Sequence, residues 1–331
     1  MSDRDGITRL VADLPQSDHP DWMAPMLAVL TCKRFSDPDW IYERKFDGVR
    51  VLLFRQGNRL RLMTRNQNAV NKTYPELVEA VLAQPVQEFV ADGEIVAFDG
   101  NVSSFSRLQG RMQITDPDKA RTSGIAVYLY LFDLLHLDGH DLTALPLRRR
   151  KSLLRTALRF NAPLRFTPHR NAEGEAVFKK ACAKGWEGLI AKNAKAPYSH
   201  GRARDWLKFK CAKGQELVIG GFTEPKGRRR GFGALLLGYF EGDKLRYAGK
   251  VGTGFDDAFL KEFRATLDAR HCAMPPFNEP VDEDAIWVRP DLVAEIGFTE
   301  WTKAARLRHP RFLGLRHDKP ANEVIREVPD A

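Results

Sequence analysis

The chain lacks a long apolar run. Its most apolar stretch, Ile125 to Phe132, is stopped by Asp133 far short of the roughly 20 residues a membrane-spanning helix needs, so no helix is expected to cross a bilayer. It also lacks a basic start followed by an apolar stretch, because Met1 to Pro20 carry acids and prolines. A secretory signal is therefore not expected, and the chain should stay in the cytoplasm. Cysteine is scarce, and Cys32, Cys182, Cys211 and Cys272 lie far apart, without the close pairs of a zinc site or a disulfide framework. They are expected to be buried or idle thiols. There is no internal repeat and no low-complexity tract, which excludes solenoids and fibrous arrays.

What is present is an ordinary globular mixture, with 43% hydrophobic and 29% charged residues in 331 residues and 37.5 kDa. The length is about twice the usual domain, so two domains are expected. Net charge is +9 with a pI near 9.4, and the cationic excess lies in the first two-thirds of the chain. Such a balance suits a polyanionic partner without requiring one.

After a polar lead-in over 1–21, short β-favouring runs dominate. Ile41 to Phe46, Val49 to Arg55 and Leu60 to Thr64, with turn signals at Asp47-Gly48 and Gln56-Gly57-Asn58, read as an antiparallel meander. Further strands fit Phe89 to Phe98, Ile125 to Phe132, Gly188 to Lys192 and Trp206 to Lys210. Helices fit Pro75 to Ala83, Pro146 to Arg159 and Glu173 to Lys184. This is an α+β pattern. Beyond Lys213 the chain is strand-rich, with one amphipathic helix carrying Phe259, Leu260, Phe263 and Leu267, which suits a small barrel. The expected domains are 22–213 and 214–331, with the basic loop Pro225 to Gly233 as an excursion in the second.

The segment Glu43-Arg44-Lys45-Phe46-Asp47-Gly48-Val49-Arg50 places a lysine at a strand end, with Lys45, Asp47 and Glu43 on one face by the two-residue period. A lysine becomes a nucleophile only when its pKa is lowered by nearby cations, by a metal or by desolvation. Taken alone, the segment fits a surface strand and an Asp-Gly turn at least as well. Five more segments follow in order: Asp92-Gly93-Glu94, Phe132-Asp133, Glu187 to Lys192, Trp206 to Lys210, and Arg316-His317-Asp318-Lys319.

Together the six resemble the nucleotidyltransferase superfamily of ATP-dependent DNA ligases, RNA ligases and capping enzymes. Longer stretches, Pro25 to Ala28, Ser104 to Arg111, Phe298 to Thr302 and Leu307 to Phe312, are similar to the ligase domains of bacterial ligase D, the end-joining DNA ligases. The resemblance covers nearly everything after Trp22. It departs at Asn66-Gln67-Asn68, where many relatives have a glycine after the arginine at Arg65, and no segment of the sequence resembles the family's attached polymerase and nuclease modules, so either a free-standing ligase or an excised domain is expected.

The resemblance implies an adenylation domain with ATP-grasp-like antiparallel sheets and helices, followed by a β-barrel OB-fold domain. It implies ATP as the nucleotide, with AMP carried covalently on Lys45, and a magnesium or manganese ion held by Asp47, Glu94 and Glu187, since carboxylates suit hard divalent cations. Lys208 and Lys210 would hold the α-phosphate. Phe132 would stack on adenine with Glu43 near the base, and Arg50, Arg65 and Arg202 would contact ribose and phosphate. Arg316, Asp318 and Lys319 would orient the pyrophosphate when the domains close, then swing away. Lys226, Arg228, Arg229 and Arg230 are candidate DNA-phosphate contacts. A nicked or broken duplex is the expected partner, with a Ku-like end-binding protein as a further expected partner, and a monomer is the default. Two other readings remain open at this point: an RNA ligase or GTP-using capping enzyme, and a nucleic-acid-binding barrel protein whose transferase site is dead.

Overall fold

The computed structural model describes residues 11–211, 214–225, 227 and 229–327. They divide into two compact units, the boundary along the chain falling after Cys211. The elements of the first unit, in chain order, are β1 (Met26–Leu30), β2 (Trp40–Lys45), β3 (Val49–Gln56), β4 (Arg59–Thr64), α1 (Pro75–Leu82), β5 (Glu88–Val96), α2 (Phe105–Met112), α3 (Pro117–Thr122), β6 (Tyr128–Leu137), α4 (Leu147–Ala157), β7 (Leu164–Phe166), β8 (His169–Asn171), α5 (Gly174–Ala183), β9 (Gly188–Asn193) and β10 (Gly201–Lys210).

Two sheets result. One has the order β1-β10-β9-β2-β8; the other has the order β7-β6-β5-β3-β4, with His140–Asp141 pairing on β6. Both are mixed, because β1 runs parallel to β10 and β7 parallel to β6. The expected three-strand meander is therefore not formed. Asp47-Gly48 is a crossover from one sheet to the other, not a hairpin turn, and only β3 and β4 pair as foreseen.

The two-residue period decides what each face covers. Tyr42, Leu189, Ala191 and Phe209 of the first sheet pack outward on Ala181, Val177 and Phe178 of α5. The inner face, with Met26 and Trp206, meets Leu52, Phe54, Val90, Phe132 and Leu135 of the second sheet. That sheet's far side buries Val51, Leu53, Ala91, Leu129 and Leu134 under Leu77 and Val81 of α1, Phe105 and Leu108 of α2, and Leu153 and Leu154 of α4. The layers run helix, sheet, sheet, helices. The apolar run into β6 is long because the strand is central and covered on both faces. Phe132 thus lies inside a strand rather than at its end.

Two further expectations change. Val11 is fully buried in the first unit's core and Ser17 donates its backbone N–H to Gly139 O, so 11–21 is packed structure rather than a lead-in. Cys182 and Cys211 form a disulfide with Cα atoms 5.3 Å apart, because α5 lies against the sheet whose last strand, β10, ends at Lys210; spacing in sequence carries no trace of this contact.

The second unit comprises β11 (Gly214–Phe222), β12 (Leu235–Glu241), β13 (Lys244–Val251), α6 (Asp257–Asp268), β14 (Ile286–Gly297) and β15 (Arg311–Leu315). The strands form one antiparallel sheet in the order β13-β12-β11-β14-β15. Asp256 caps α6 by accepting the Phe259 N–H, and Leu260, Phe263 and Leu267 turn into the sheet's core, as their spacing predicts.

Candidate active site

Register assembles the site on the inner face of the first sheet. Residues opposite one another on β2, β9 and β10 share a face, which gives three rows: Lys45, Gly188 and Lys210; Glu43, Ile190 and Lys208; Ile41, Lys192 and Trp206. Gly188 supplies no side chain between Lys45 and Lys210. Its φ of 153° and an added Cβ 1.9 Å from the Phe209 carbonyl oxygen both require glycine.

Lys45 forms an ion pair with Glu187 at the entrance to β9. Burial disfavours its charge, but Glu187, aided by Asp47, outweighs that effect and the repulsion from Lys210, so the Lys45 pKa is raised. The expected activation by a lowered pKa is therefore absent from this arrangement, and Glu187 is the group that keeps the amine protonated. The second oxygen of Glu187, Oε2, is buried without a hydrogen-bond partner.

Glu43 is 2% exposed and lies between two buried lysines, 2.5 Å from Lys151 Nζ and 2.6 Å from Lys192 Nζ. Burial pushes its pKa up, the two ammonium groups push it down further, and the net shift is downward. Its side chain is thus the counter-ion of a buried triad rather than a group turned to a base. Lys192 also stands 4.2 Å from the centre of the Phe132 ring and 4.0 Å from that of Trp206, and desolvation lowers its pKa. Phe132 is itself buried, edge-to-face with Trp206.

Arg50 commits its donors to structure. Nε and Nη2 grip the buried Asp92 carboxylate at 2.9 and 2.5 Å, and Nη1 donates to Met26 O at 2.6 Å. Tyr198 Oη completes the network by donating to Asp92 at 2.7 Å. In this arrangement Arg50 braces the two sheets. Arg65 follows the end of β4, and Arg202 is an exposed residue of β10 opposite Leu27.

The three expected metal ligands are not gathered. Asp47 is anchored beside the start of α2, where its N–H donates to Ser103 Oγ at 3.1 Å and its Oδ2 accepts from the Phe105 N–H at 3.3 Å. Glu94 lies on the other sheet, in a row with Arg50 and Tyr130. Glu187 is engaged by Lys45. Among the described residues, no group of three or more His, Cys, Asp or Glu side chains is placed to hold a metal. The donor chemistry still suits a hard cation at Glu187 Oε2, but the protein does not present a closed cage.

In the second unit Arg316 grips Asp318 through Nε and Nη2 at 2.9 and 2.8 Å, and Lys319 pairs with Glu216 at 3.1 Å. Burial lowers the Arg316 pKa, but Asp318, Glu216 and Glu295 reverse this and raise it well above its ordinary value. Arg229 donates to Gly252 O, and Arg230 is exposed; Lys226, Arg228 and Lys213 lie outside the described residues.

Sequence reasoning passed over Lys151, Lys192, Trp206 and Asp92 as members of this constellation. Trp206 carried a signal, since it alternates in phase with Lys208 and Lys210; Lys192, out of phase with Glu187, and Lys151, on α4, carried none.

Residues 25–210 match the model of the ATP dependent DNA ligase domain, and residues 228–319 match that of the ATP dependent DNA ligase C terminal region. The chain belongs to the ATP-dependent DNA ligase family. Over 320 residues it is 37% identical to the multifunctional non-homologous end joining protein LigD of Pseudomonas aeruginosa, covering 94% of this chain and 37% of that protein. The LigD of Mycobacterium tuberculosis is also 37% identical, over 93% of this chain and 40% of its own length. The chain thus spans well under half of these relatives. Among solved structures, mycobacterial DNA ligase D complexed with ATP and MES superposes with a TM-score of 0.65 at 33% identity, covering 92% of this chain and 98% of that one.

Proposed function

We propose that the chain seals 3′-hydroxyl/5′-phosphate breaks in duplex DNA at the expense of ATP, in the manner of an end-joining repair ligase. The observation that supports this best is the row in which Lys45, with Glu187 on it, faces Lys210 across a residue without a side chain. Phosphoryl transfer depends on cations placed around an in-line attack more than on acid/base groups, and this row supplies them.

In the first step the Lys45 amine bonds to the α-phosphorus of ATP, the α–β phosphoanhydride breaks, and pyrophosphate leaves. The Lys45 ammonium must first pass a proton to the paired Glu187 carboxylate or to water, so that the neutral amine attacks. Lys208 and Lys210 steady the α-phosphate. A DNA 5′-phosphate oxygen then takes the AMP as the P–N bond breaks, and a 3′-hydroxyl displaces AMP to form the phosphodiester. A magnesium or manganese ion, when bound, would supply charge neutralisation at the phosphates, and Glu187 Oε2 and Asp47 are the groups we assign to hold it. Phe132 and Trp206 border the base; Arg65 and Arg202 are assigned to the nucleotide and Arg50 to bracing it. Arg316, Asp318 and Lys319 are assigned to the pyrophosphate.

The same reading takes 22–213 as the adenylation domain and 214–331 as an OB-fold domain, and expects a monomer working on DNA in the bacterial cytoplasm, with a Ku-like protein delivering ends. The test is sealing of a nicked duplex with ATP and with GTP, each with magnesium or manganese. Sealing with ATP alone is expected. Transfer of GMP to RNA ends instead would replace this reading with a capping enzyme.

A further inference from the structure

On the reverse side of β2 from Lys45, alternation turns Arg44 outward into a second cleft. One part, of about 650 Å³, is lined by Arg44, Phe98, Tyr128, Tyr130, Arg165, Lys184 and Trp186 among others. A continuation of about 700 Å³ shares Arg44, Tyr130, Lys184 and Trp186 and adds Arg170 and Lys180. Arginine and lysine side chains elsewhere on this protein are commonly paired with carboxylates. Among the described residues, none of Arg44, Arg165, Arg170, Lys180 and Lys184 forms an ion pair with a carboxylate; the first part has no acid in its lining and the continuation has Glu173.

The cations instead lie on rings. Arg44 stands 4.5 Å from the Trp186 ring and 5.4 Å from Phe98, Arg165 stands 5.6 Å from Tyr128, and Lys184 stands 5.5 Å from Trp186. Arg44 is half-buried, and although one amino group donates to Asn101 O at 3.1 Å, its Nε is buried without any partner. Desolvation lowers its pKa, with Tyr130 opposing. Charges left unpaired over aromatic faces are what a chain of phosphates with unstacked bases requires: phosphates meet the cations, and each base has a π-face for a ring.

We propose that this cleft binds a short unpaired single-stranded segment of a nucleic acid, separate from the nucleotide at Lys45. An acidic peptide would satisfy the cations but leave the ring faces without flat partners, so the mixture of Trp, Tyr and Phe with Arg and Lys favours bases. The proposal rests on the DNA-ligase reading for the identity of the strand as DNA; an unpaired overhang at a broken end would then lie against the strand that carries the nucleophile. Arg44 and Lys45 are consecutive on β2, so an occupied cleft and an occupied nucleotide site share that strand.

The experiment uses the full chain and a fluorescently labelled oligo-dT of about ten nucleotides, read by anisotropy at two salt concentrations. Arg165→Glu combined with Lys184→Glu should weaken binding about ten-fold or more, and Trp186→Ala should weaken it while Trp186→Phe largely restores it. Matched charge reversal at the exposed Lys72 and Lys119 should change it less than two-fold. Competition by a dinucleotide but not by thymidine monophosphate would assign the cleft to a strand rather than to a free nucleotide. Equal weakening by both charge reversals, no response to Trp186→Ala, or capture of an acidic peptide in preference to oligo-dT would overturn the proposal. Transfer of AMP to Lys45 is measured on the same proteins. It should be unchanged in the cleft variants, and its failure in the unaltered protein would count against the ligase reading while leaving the strand-binding result to stand by its own controls.

Discussion

Glu43 illustrates how a residue legible in sequence can have a different task in the fold. Its place two residues before Lys45 put it on the right face, but only the fold brings Lys151 and Lys192 to its two oxygens. Because its folded-state pKa is depressed, Glu43 contributes stability above the ordinary carboxylate range, and that contribution is lost as pH falls through the lowered value. Glu43→Gln leaves two buried ammonium groups without their counter-charge, at a cost of about 3–5 kcal/mol. Thermal unfolding followed from pH 7 downward should show a lower Tm for the variant at neutral pH and a flatter acid limb. Equal Tm values at neutral pH would show that the triad contributes nothing.

Among the elements, the motif order was readable because each motif is local: a lysine at a strand end, an acid at the entrance to the next strand, alternating lysines on a third. What was not readable is which strands become neighbours. The turn at Asp47-Gly48 looks like a hairpin, yet it crosses from one sheet to the other, and the Cys182–Cys211 bond depends on a helix-to-sheet contact that no periodicity encodes. Gly188 tests the register directly. Gly188→Ala forces a Cβ against the Phe209 carbonyl in a backbone conformation that L-residues resist, a strain of roughly 1–3 kcal/mol before β10 shifts. The variant should fold with a reduced Tm and should transfer AMP to Lys45 at least ten-fold more slowly, because displacement of β10 carries Lys208 and Lys210 with it. Unchanged labelling kinetics with ATP would show that the spacing of the row is immaterial.

For the whole molecule, the two units hold different parts of the proposed chemistry. Arg316 and Lys319 are each engaged with acids of their own unit, so their assignment to the first step predicts a separation of effects. Arg316→Ala or Lys319→Ala should slow formation of the lysine adenylate by about a hundredfold or more, while sealing of DNA that already carries a 5′-adenylate proceeds at close to the normal rate. Loss of both activities together would instead indicate damage to the second unit. The strand-rich pattern with one amphipathic helix was legible in the second unit, where a five-stranded antiparallel sheet packs with α6 beside a two-stranded ribbon of Glu300–Trp301 and Leu307–Arg308.

The central claim is that Lys45 becomes covalently adenylated. The direct measurement is incubation of the protein and of Lys45→Ala with α-labelled ATP and a divalent cation, followed by a denaturing gel and intact mass. A single AMP added to the unaltered protein, discharged by pyrophosphate and absent from Lys45→Ala, is the predicted result. An adduct that persists in Lys45→Ala, or none on protein first stripped of any bound AMP with pyrophosphate, would contradict it.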